Sequence, residues 1–274
     1  MKKLAIFLAL LALPLAYSHG QLSVSGVAGS GGYSVLRARL DTGLMLIPGL
    51  SMNLNYALFE QDGMSSMSRF GAGADYKLPF LDIASVGVGA TYQPKANDYS
   101  NYSYDIHGSV NLAELTFHVL PTDELRLGGG YSRTFHSFYN PDNDVHQDDI
   151  YGFITQKTGG FDTSFIYRKA IRYVGDKNET PPWLDIPNFV SVYAGFLDYA
   201  WGVSAGYTYK GIRPYAAYTS LKTTESPSTD DLRLGITLAV FMVDLNASVE
   251  WLNFTQNSDN RKTLFALSGS VKFL

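Results

Sequence analysis

Residues 200–210 read AWGVSAGYTYK, and this stretch decides the fold class. Its larger apolar residues all fall on one side of an extended chain: Trp201, Val203, Ala205, Tyr207 and Tyr209. Glycine, serine, threonine and lysine fall on the other side, and this period of two is typical of a β-strand with one apolar face. The length is close to the roughly 9–11 residues with which a tilted strand crosses a membrane.

The same alternation recurs along the chain. It is found in the following stretches: 36–46, 51–59, 69–78, 85–92, 102–112, 161–173, 231–240 and 245–251. A soluble β-sandwich also alternates, but typical soluble strands have only about 5–6 residues. Many of these apolar faces also end in Tyr, Trp or Phe beside a turn, which is typical of membrane-spanning barrels. We therefore predict an all-β protein, a transmembrane antiparallel up-and-down β-barrel.

The connections between the predicted strands are of two kinds. Short turns are predicted at 47–49, 79–82, 121–123 and 158–160, and longer polar loops at 61–67, 95–101, 140–149, 173–187, 222–229 and 255–261. This asymmetry is typical of periplasmic turns and extracellular loops. Two chain ends on one side require an even strand number, so we predict about 14 strands, with 12 as the alternative.

The strand number depends on residues 200–221. We treat this stretch as one long strand with a bulge at 211–214, because Pro214 is tolerated in a strand mainly at an edge or a bulge. Two strands joined by a tight turn are the other interpretation. The triplet Gly128, Gly129 and Gly130 lies inside another strand pattern, where we predict a bend in the barrel wall.

The N-terminus has the pattern of a cleaved signal peptide. Lys2 and Lys3 precede an apolar run at 4–15, and small residues at Ala16 and Ser18 mark a cleavage site. The apolar run is shorter than the roughly 20 residues that span a bilayer as a helix. We predict that residues 1–18 are the signal peptide and that 19–274 form a single barrel domain, with an uncleaved anchor as the alternative.

The composition excludes several classes of function. The 274 residues include no cysteine, which removes thiolate catalysis and cysteine-ligated metals. The formal net charge of −4 comes without any basic run, so no nucleic-acid partner is predicted. The 19 Tyr, 16 Phe and 26 Gly, with only 17% charged residues, fit a barrel with aromatic girdles at both membrane interfaces.

Charged and polar residues share the strand face opposite the apolar one. We predict that they line the interior of the barrel: Arg37, Arg39, Asp41, Arg69, Asp75, Lys77, Asp105, His107, Arg126, Arg168, Arg172, Asp231, Arg233, Glu250 and Lys272. Such charges are tolerated only where water or an opposite charge meets them. The mixture fits a water-filled passage, and it fits equally well a narrow interior closed by internal salt bridges.

The final stretch, 263–274, reads TLFALSGSVKFL. It resembles the last strand of bacterial outer-membrane β-barrel proteins, whose alternating hydrophobic residues ending in an aromatic one are read by the barrel-assembly machinery. The matching residues are Phe265, Leu267, Val271 and Phe273, and Leu274 follows them. With the signal peptide and the strand pattern, the resemblance implies a porin-like protein of the outer membrane, in contact with its lipid, the assembly machinery and small solutes.

Two motifs could carry other chemistry. His107 and Ser109 have the His-x-Ser spacing seen in outer-membrane phospholipases and lipid A deacylases, but the apolar wall of their strand is taken by its tyrosines, isoleucine and valine, so we interpret both as polar residues of the interior. The stretch 142–149, DNDVHQDD, has carboxylates at alternating positions. Gln147 stands where a calcium loop requires glycine, and Phe153 where it requires glutamate, so we interpret it as a solvated acidic loop rather than a cation site.

The sequence therefore predicts a barrel with no catalytic residues, no metal and no cofactor. The first functional hypothesis is a passive channel for small hydrophilic solutes. The second is a non-conducting structural barrel whose loops meet a partner. A transporter of hydrophobic molecules and an outer-membrane lipid hydrolase are further alternatives.

Overall fold

The computed structural model of the chain describes residues 18–44, 47–63, 66–79, 83–96, 99–111, 124–138, 144–174, 183–184, 193–194, 196–224, 228–253, 255 and 261–273. The predicted signal peptide, apart from Ser18, lies outside the described residues, as does Leu274. In the described part of the chain, no helix is long and apolar enough to cross a membrane.

Sixteen β-strands are found among these residues. Their bounds are β1 (Ser18–Gly29), β2 (Ser34–Leu44), β3 (Leu50–Glu60), β4 (Met67–Lys77), β5 (Ala84–Ala96), β6 (Tyr99–Asn111), β7 (Glu124–Phe138), β8 (Asp144–Thr158), β9 (Phe161–Val174), β10 (Trp183–Leu184), β11 (Tyr193–Ala194), β12 (Leu197–Tyr207), β13 (Ile212–Thr223), β14 (Thr229–Val240), β15 (Val243–Leu252) and β16 (Lys262–Phe273). The short β10 and β11 pair only with each other, and the other 14 strands form the barrel.

The barrel closes because its first and last strands pair. β1 pairs antiparallel with β2 on one side and with β16 on the other, from Gly20 opposite Phe273 to Gly29 opposite Leu264. Closure leaves no strand edge in the ring, so the backbone hydrogen bonds are satisfied without water, as a membrane requires. The prediction of an antiparallel up-and-down barrel of about 14 strands is confirmed.

The two faces of each strand differ as the alternation predicts. Large apolar side chains are exposed on the outer face, among them Leu22, Val24, Leu36, Val88, Leu234 and Leu267. Leu22 lies opposite Val271, and Val24 opposite Gly269, so outward residues share rows around the wall. Because this face is apolar and continuous, it fits the lipid, and the polar residues between these positions face the interior.

The single long strand predicted for 200–221 is wrong. β12 and β13 are separate strands joined by a two-residue turn, in which Tyr209 N–H donates to Ile212 O and Ile212 N–H donates to Tyr209 O, both at 2.9 Å. Lys210 and Gly211 both have positive φ, 49° and 80°, as a hairpin of this type requires. Pro214 is tolerated because it lies near the start of β13, beyond the last residue paired with β12. The barrel still has 14 strands. The extra strand in 200–221 adds none to the total because the described residues between 175 and 196 contribute no strand to the barrel.

The two ends of the barrel differ. The end at which β1 begins and β16 ends carries the short turns at 159–160, 208–211 and 241–242, and we call it the turn end. The opposite end, called the loop end, carries the connection from 175 to 196. The short turns at one end agree with the predicted asymmetry of turns and loops, and the assignment of that end to the periplasm stays a prediction.

The glycine triplet lies in regularly paired strands. The pairings of β7 with β6 and β8 run through Gly128, Gly129 and Gly130 without a register shift, so no β-bulge lies there, and the bend of the wall stays a prediction. Gly128 makes room for a neighbour, because the Phe153 ring occupies the space next to it on the inner face.

Candidate functional site

Ion pairs run along the inner wall of the barrel. Arg39 Nε lies 2.8 Å from Asp41 Oδ2 on the same strand, β2. Lys272 Nζ lies 2.9 Å from Asp244 Oδ2, on the adjacent strands β16 and β15. Arg126 also contacts Glu124 on its own strand. In each of these pairs the two charges lie on one strand or on adjacent strands and neutralise one another.

A polar cavity of about 330 Å³ lies on the inner side of β12–β16. Its lining consists of Ser204, Arg213, Tyr215, Arg233, Asn246 and Ser268, with Ala217 and Thr237. All of these positions are inward by register, since Ser204 lies opposite Ala217 and Asn246 lies opposite both Thr237 and Ser268. The cavity is therefore part of the barrel interior.

Tyr215 is the centre of the hydrogen-bonded network in this cavity. The guanidinium carbons of Arg213 and Arg233 lie 5.2 and 5.5 Å from the centroid of its ring, within the range of cation–π attraction. Asn246 Nδ2 donates to Tyr215 Oη at 3.1 Å and to Thr237 Oγ1 at 2.9 Å. These contacts fix the side chains in place and present two cations, an amide and hydroxyl groups to the interior.

Glycine residues let the largest of these side chains lie against the wall. Tyr215 lies opposite Gly235, and its ring occupies the space beside that glycine. Arg213 likewise covers Gly206. From there Arg213 Nε donates to Asp162 Oδ1 at 2.8 Å, reaching across β12 to β9.

Two apolar clusters lie on the inner face at the loop end of the barrel. The first is formed by Val27, Tyr33, Val35, Phe59, Leu252, Leu264 and Ala266, all buried. Tyr33 and Phe59 meet edge to face, with ring centroids 5.3 Å apart. The second lies across the barrel, where Phe196 is 1% exposed and its ring lies 4.9 Å from Tyr173 and 5.5 Å from His136. We call them the Phe59 cluster and the Phe196 cluster.

The stretch 142–149 is not the solvated acidic loop that the sequence predicts. Residues 142–143 lie outside the described part, but 144–149 belong to β8, and Asp148 and Asp149 are buried. Asp149 Oδ2 accepts from Arg168 Nη2 at 2.7 Å inside the barrel. Gln147 also donates to Asp149, at 2.6 Å. Among the residues that the structure describes, no group of three or more acidic, histidine or cysteine side chains could hold a metal ion.

Most residues predicted for the interior lie on the inner face by register. They are Arg37, Arg39, Asp41, Arg69, Asp75, Lys77, Arg126, Arg168, Asp231, Arg233, Glu250 and Lys272. For Asp105 and His107 only the backbone of β6 is described: they lie opposite Thr134 and Ser132. What these residues do in the interior stays a prediction, as does the interpretation of His107 and Ser109.

The inward position predicted for Arg172 is wrong. The register between β8 and β9 shifts, since Asp149 lies opposite Ala170 whereas Asp148 lies opposite Arg172. Ile171 and Arg172 are therefore both on the exposed side. A β-bulge of this kind places two successive side chains on one face, so strict alternation from Arg168 onward gives the wrong side.

Sequence reasoning missed Arg213, Tyr215 and Asn246 of the cavity, and Asp162, which pairs with Arg213. The turn at 158–160 and the strand from Phe161 are predicted, so alternation already places Asp162 on the polar face. Arg213 and Tyr215 follow Gly211, which belongs to the two-residue turn between β12 and β13. A new strand started after Gly211 would have placed both side chains on the inner face.

The four residues of the predicted assembly signal lie on the outer face of β16. Phe265, Leu267 and Val271 are 60%, 69% and 46% exposed. Phe273 lies opposite Gly20, with its ring against the space beside that glycine.

No protein-family model matches the sequence, and no curated protein sequence matches it. Among solved structures, the chain is similar to CdiB from Acinetobacter baumannii, with 11% identity, a TM-score of 0.56, and coverage of 93% of this chain and 60% of CdiB. It is also similar to the CymD monoaromatic hydrocarbon channel, with 11% identity, a TM-score of 0.49, and coverage of 94% of this chain and 88% of CymD. A third similar structure is outer membrane phospholipase A from Escherichia coli, with 9% identity, a TM-score of 0.45, and coverage of 93% of this chain and 90% of the phospholipase.

This chain thus spans 60% of the length of CdiB. At these identities the likeness concerns the fold alone. The chain has the fold of outer-membrane β-barrel proteins.

Proposed function

We propose that the protein is a passive channel of the outer membrane for small hydrophilic solutes, secreted with a cleaved signal peptide and inserted as a barrel. The observation that carries the proposal is the arrangement of charge on the inner wall. Arg39–Asp41 and Lys272–Asp244 join groups of one strand or of adjacent strands. Arg213–Asp162 spans a single intervening strand. Ion pairs between groups on one strand or on nearby strands do not cross the barrel, so its centre can be filled with water.

The polar cavity supports the same proposal. Its hydroxyl, amide and guanidinium groups can replace water around a hydrophilic solute, as the lining of a selective passage must. Because Tyr215 and Arg213 are held against Gly235 and Gly206, these groups line the passage without crossing it.

Swelling of proteoliposomes tests this function. Purified, folded protein in liposomes should admit small neutral sugars and exclude larger ones, so that the swelling rate falls steadily with solute size. Liposomes with heat-unfolded protein are the control. Folded protein that gives no more swelling than this control, even with the smallest sugar, would contradict the proposal.

A non-conducting barrel is the second candidate, and the loop end favours it. The Phe59 and Phe196 clusters bring buried aromatic and aliphatic side chains into the interior from both sides. Apolar constrictions can stop ions and water by dewetting. The two candidates therefore differ in whether the space between these clusters is open.

A further inference from the structure

An apolar groove of about 680 Å³ runs along the outer face of β7, β8 and β9. The floor of the groove is formed by backbone alone, because Gly129 lies opposite Gly152 and neither has a side chain. Its walls are formed by Leu127, Tyr131, Ile154 and Tyr167, of which Tyr131, Ile154 and Tyr167 are 41%, 47% and 36% exposed. On the lipid-facing side of a barrel, a groove with this lining fits a hydrocarbon chain.

Cationic side chains lie directly in line with the groove. The row next to the bare floor, toward the loop end, consists of Tyr131, Ile150 and Lys169 in register. The following row consists of Arg133, Asp148 and Arg172. Successive rows are about 7 Å apart, so the charges stand one to two rows beyond the floor of the groove.

The β-bulge in β9 makes this cluster. If residues 169–172 alternated strictly, Arg172 would point into the barrel, whereas the bulge places it on the outer face with Lys169. Arg133 is held in place by Asp148, with Nε to Oδ1 at 2.6 Å and Nη2 to Oδ2 at 2.8 Å. Three cations and one carboxylate leave a positive charge of two on a surface that faces lipid.

A lipid-facing charge is tolerated near the membrane interface and favoured where an anion meets it. Guanidinium and ammonium groups together recognise phosphate, the arginines through paired hydrogen bonds. We propose that this outer surface, the groove with Arg133, Lys169 and Arg172, binds one acylated lipid that carries phosphate groups, of the lipid A type found in the outer leaflet. One acyl chain lies over Gly129 and Gly152, and a phosphate meets the cations at the loop end.

The test is the retention of lipid by the full-length, folded barrel, measured by native mass spectrometry from detergent. The probes are bisphosphorylated lipid A, the same lipid without its phosphates, and phosphatidylglycerol. We expect one bound molecule of bisphosphorylated lipid A, retained in preference to both others. Equal retention of the dephosphorylated lipid, or equal retention of phosphatidylglycerol, would overturn the proposal.

Two variants locate the site. The double variant Lys169→Gln, Arg172→Gln removes the charge and should lower retention about tenfold, given the strength of hydrogen bonds to charged groups. Lys262→Gln is the matched control, because Lys262 is an exposed cation at the loop end of β16, five strands from β9 around the barrel, and this variant should bind like the wild type.

The groove is tested separately by Gly152→Leu. A β-carbon on Gly152 meets only Gly128 O, at 3.7 Å, so the wall accepts the substitution while the new side chain fills the floor. Gly26→Leu, on the outer face of β1 with nothing within 4 Å, is its control. Folding of every variant is checked by heat-modifiable migration in electrophoresis. The proposal would be overturned if the double variant Lys169→Gln, Arg172→Gln and a folded Gly152→Leu variant both retained bisphosphorylated lipid A like the wild type. If Gly152→Leu does not fold, the result for the double variant decides alone.

Discussion

Tyr215 lies directly opposite Gly235, and its ring fills the space that a β-carbon on that glycine would need: such an atom would be 2.5 Å from Tyr215 Cζ. The glycine therefore decides where the ring lies. With Gly235 in place the ring stays against the wall, where Arg213, Arg233 and Asn246 contact it. Any larger residue at position 235 has to move it.

We expect Gly235→Val to reduce the single-channel conductance by roughly a factor of two, because it pushes the Tyr215 ring into the passage. Conductance in planar bilayers measures this. Gly26→Val is the matched control, since Gly26 lies on the outer face and nothing lies within 4 Å of its β-carbon position. Equal conductance of the two variants would show that the ring does not border the passage.

The Arg213–Asp162 pair should set part of the charge preference of the passage. Asp162→Asn leaves the charge of Arg213 uncompensated, so the permeability should shift toward anions. Arg213→Gln leaves Asp162 uncompensated and should shift it toward cations. The reversal potential across a potassium chloride gradient measures both shifts, and each variant is the control for the other. Shifts of the same sign would contradict this assignment.

Inner-wall ion pairs should differ in their contribution to stability according to burial. Asp149 is 2% exposed and bonded to Arg168, so Asp149→Ala should lower the free energy of unfolding by about 3–5 kcal/mol. The side chain of Asp41 is 44% exposed beside Arg39, and Asp41→Ala should cost about 1 kcal/mol or less. Urea unfolding in lipid vesicles compares them, and similar losses would refute the burial argument.

Phe196 should control the width of the loop end. Phe196→Ala removes a ring packed against Tyr173 and His136, so the conductance should rise above that of the wild type. Phe196→Leu, which keeps most of the packing, serves if the alanine variant does not fold. Phe161→Ala, at a ring 62% exposed on the outer face, is the control and should conduct like the wild type. An unchanged conductance in folded Phe196→Ala would mean that this cluster does not narrow the passage.

Much of the fold follows from the sequence because alternation in a half-buried strand reports its two faces directly. Leu36 and Arg37, or Leu234 and Arg233, are assigned to opposite faces by the pattern alone, and the register agrees. The assignment fails where a backbone irregularity intervenes. The side of the wall on which Arg172 lies depends on a β-bulge in β9. Counting every second residue cannot detect such a bulge, because all the residues around it are compatible with a regular strand.

The acidic stretch shows a second limit. Asp148 and Asp149 are polar enough to be predicted in solvent, yet Arg133 and Arg168 come from neighbouring strands to pair with them. Such partners are distant in sequence, so local composition does not reveal them. The polar cavity was missed for a related reason, since its residues come from five successive strands and only the pairing registers bring their side chains together.

The most direct measurement of the central claim is the current through a planar lipid bilayer to which the purified, folded protein is added. A continuous hydrophilic passage predicts stepwise increases of conductance, each reduced by Gly235→Val and unaffected by Gly26→Val. A bilayer that remains silent, with protein shown to be folded and inserted, would contradict the channel and leave the non-conducting barrel.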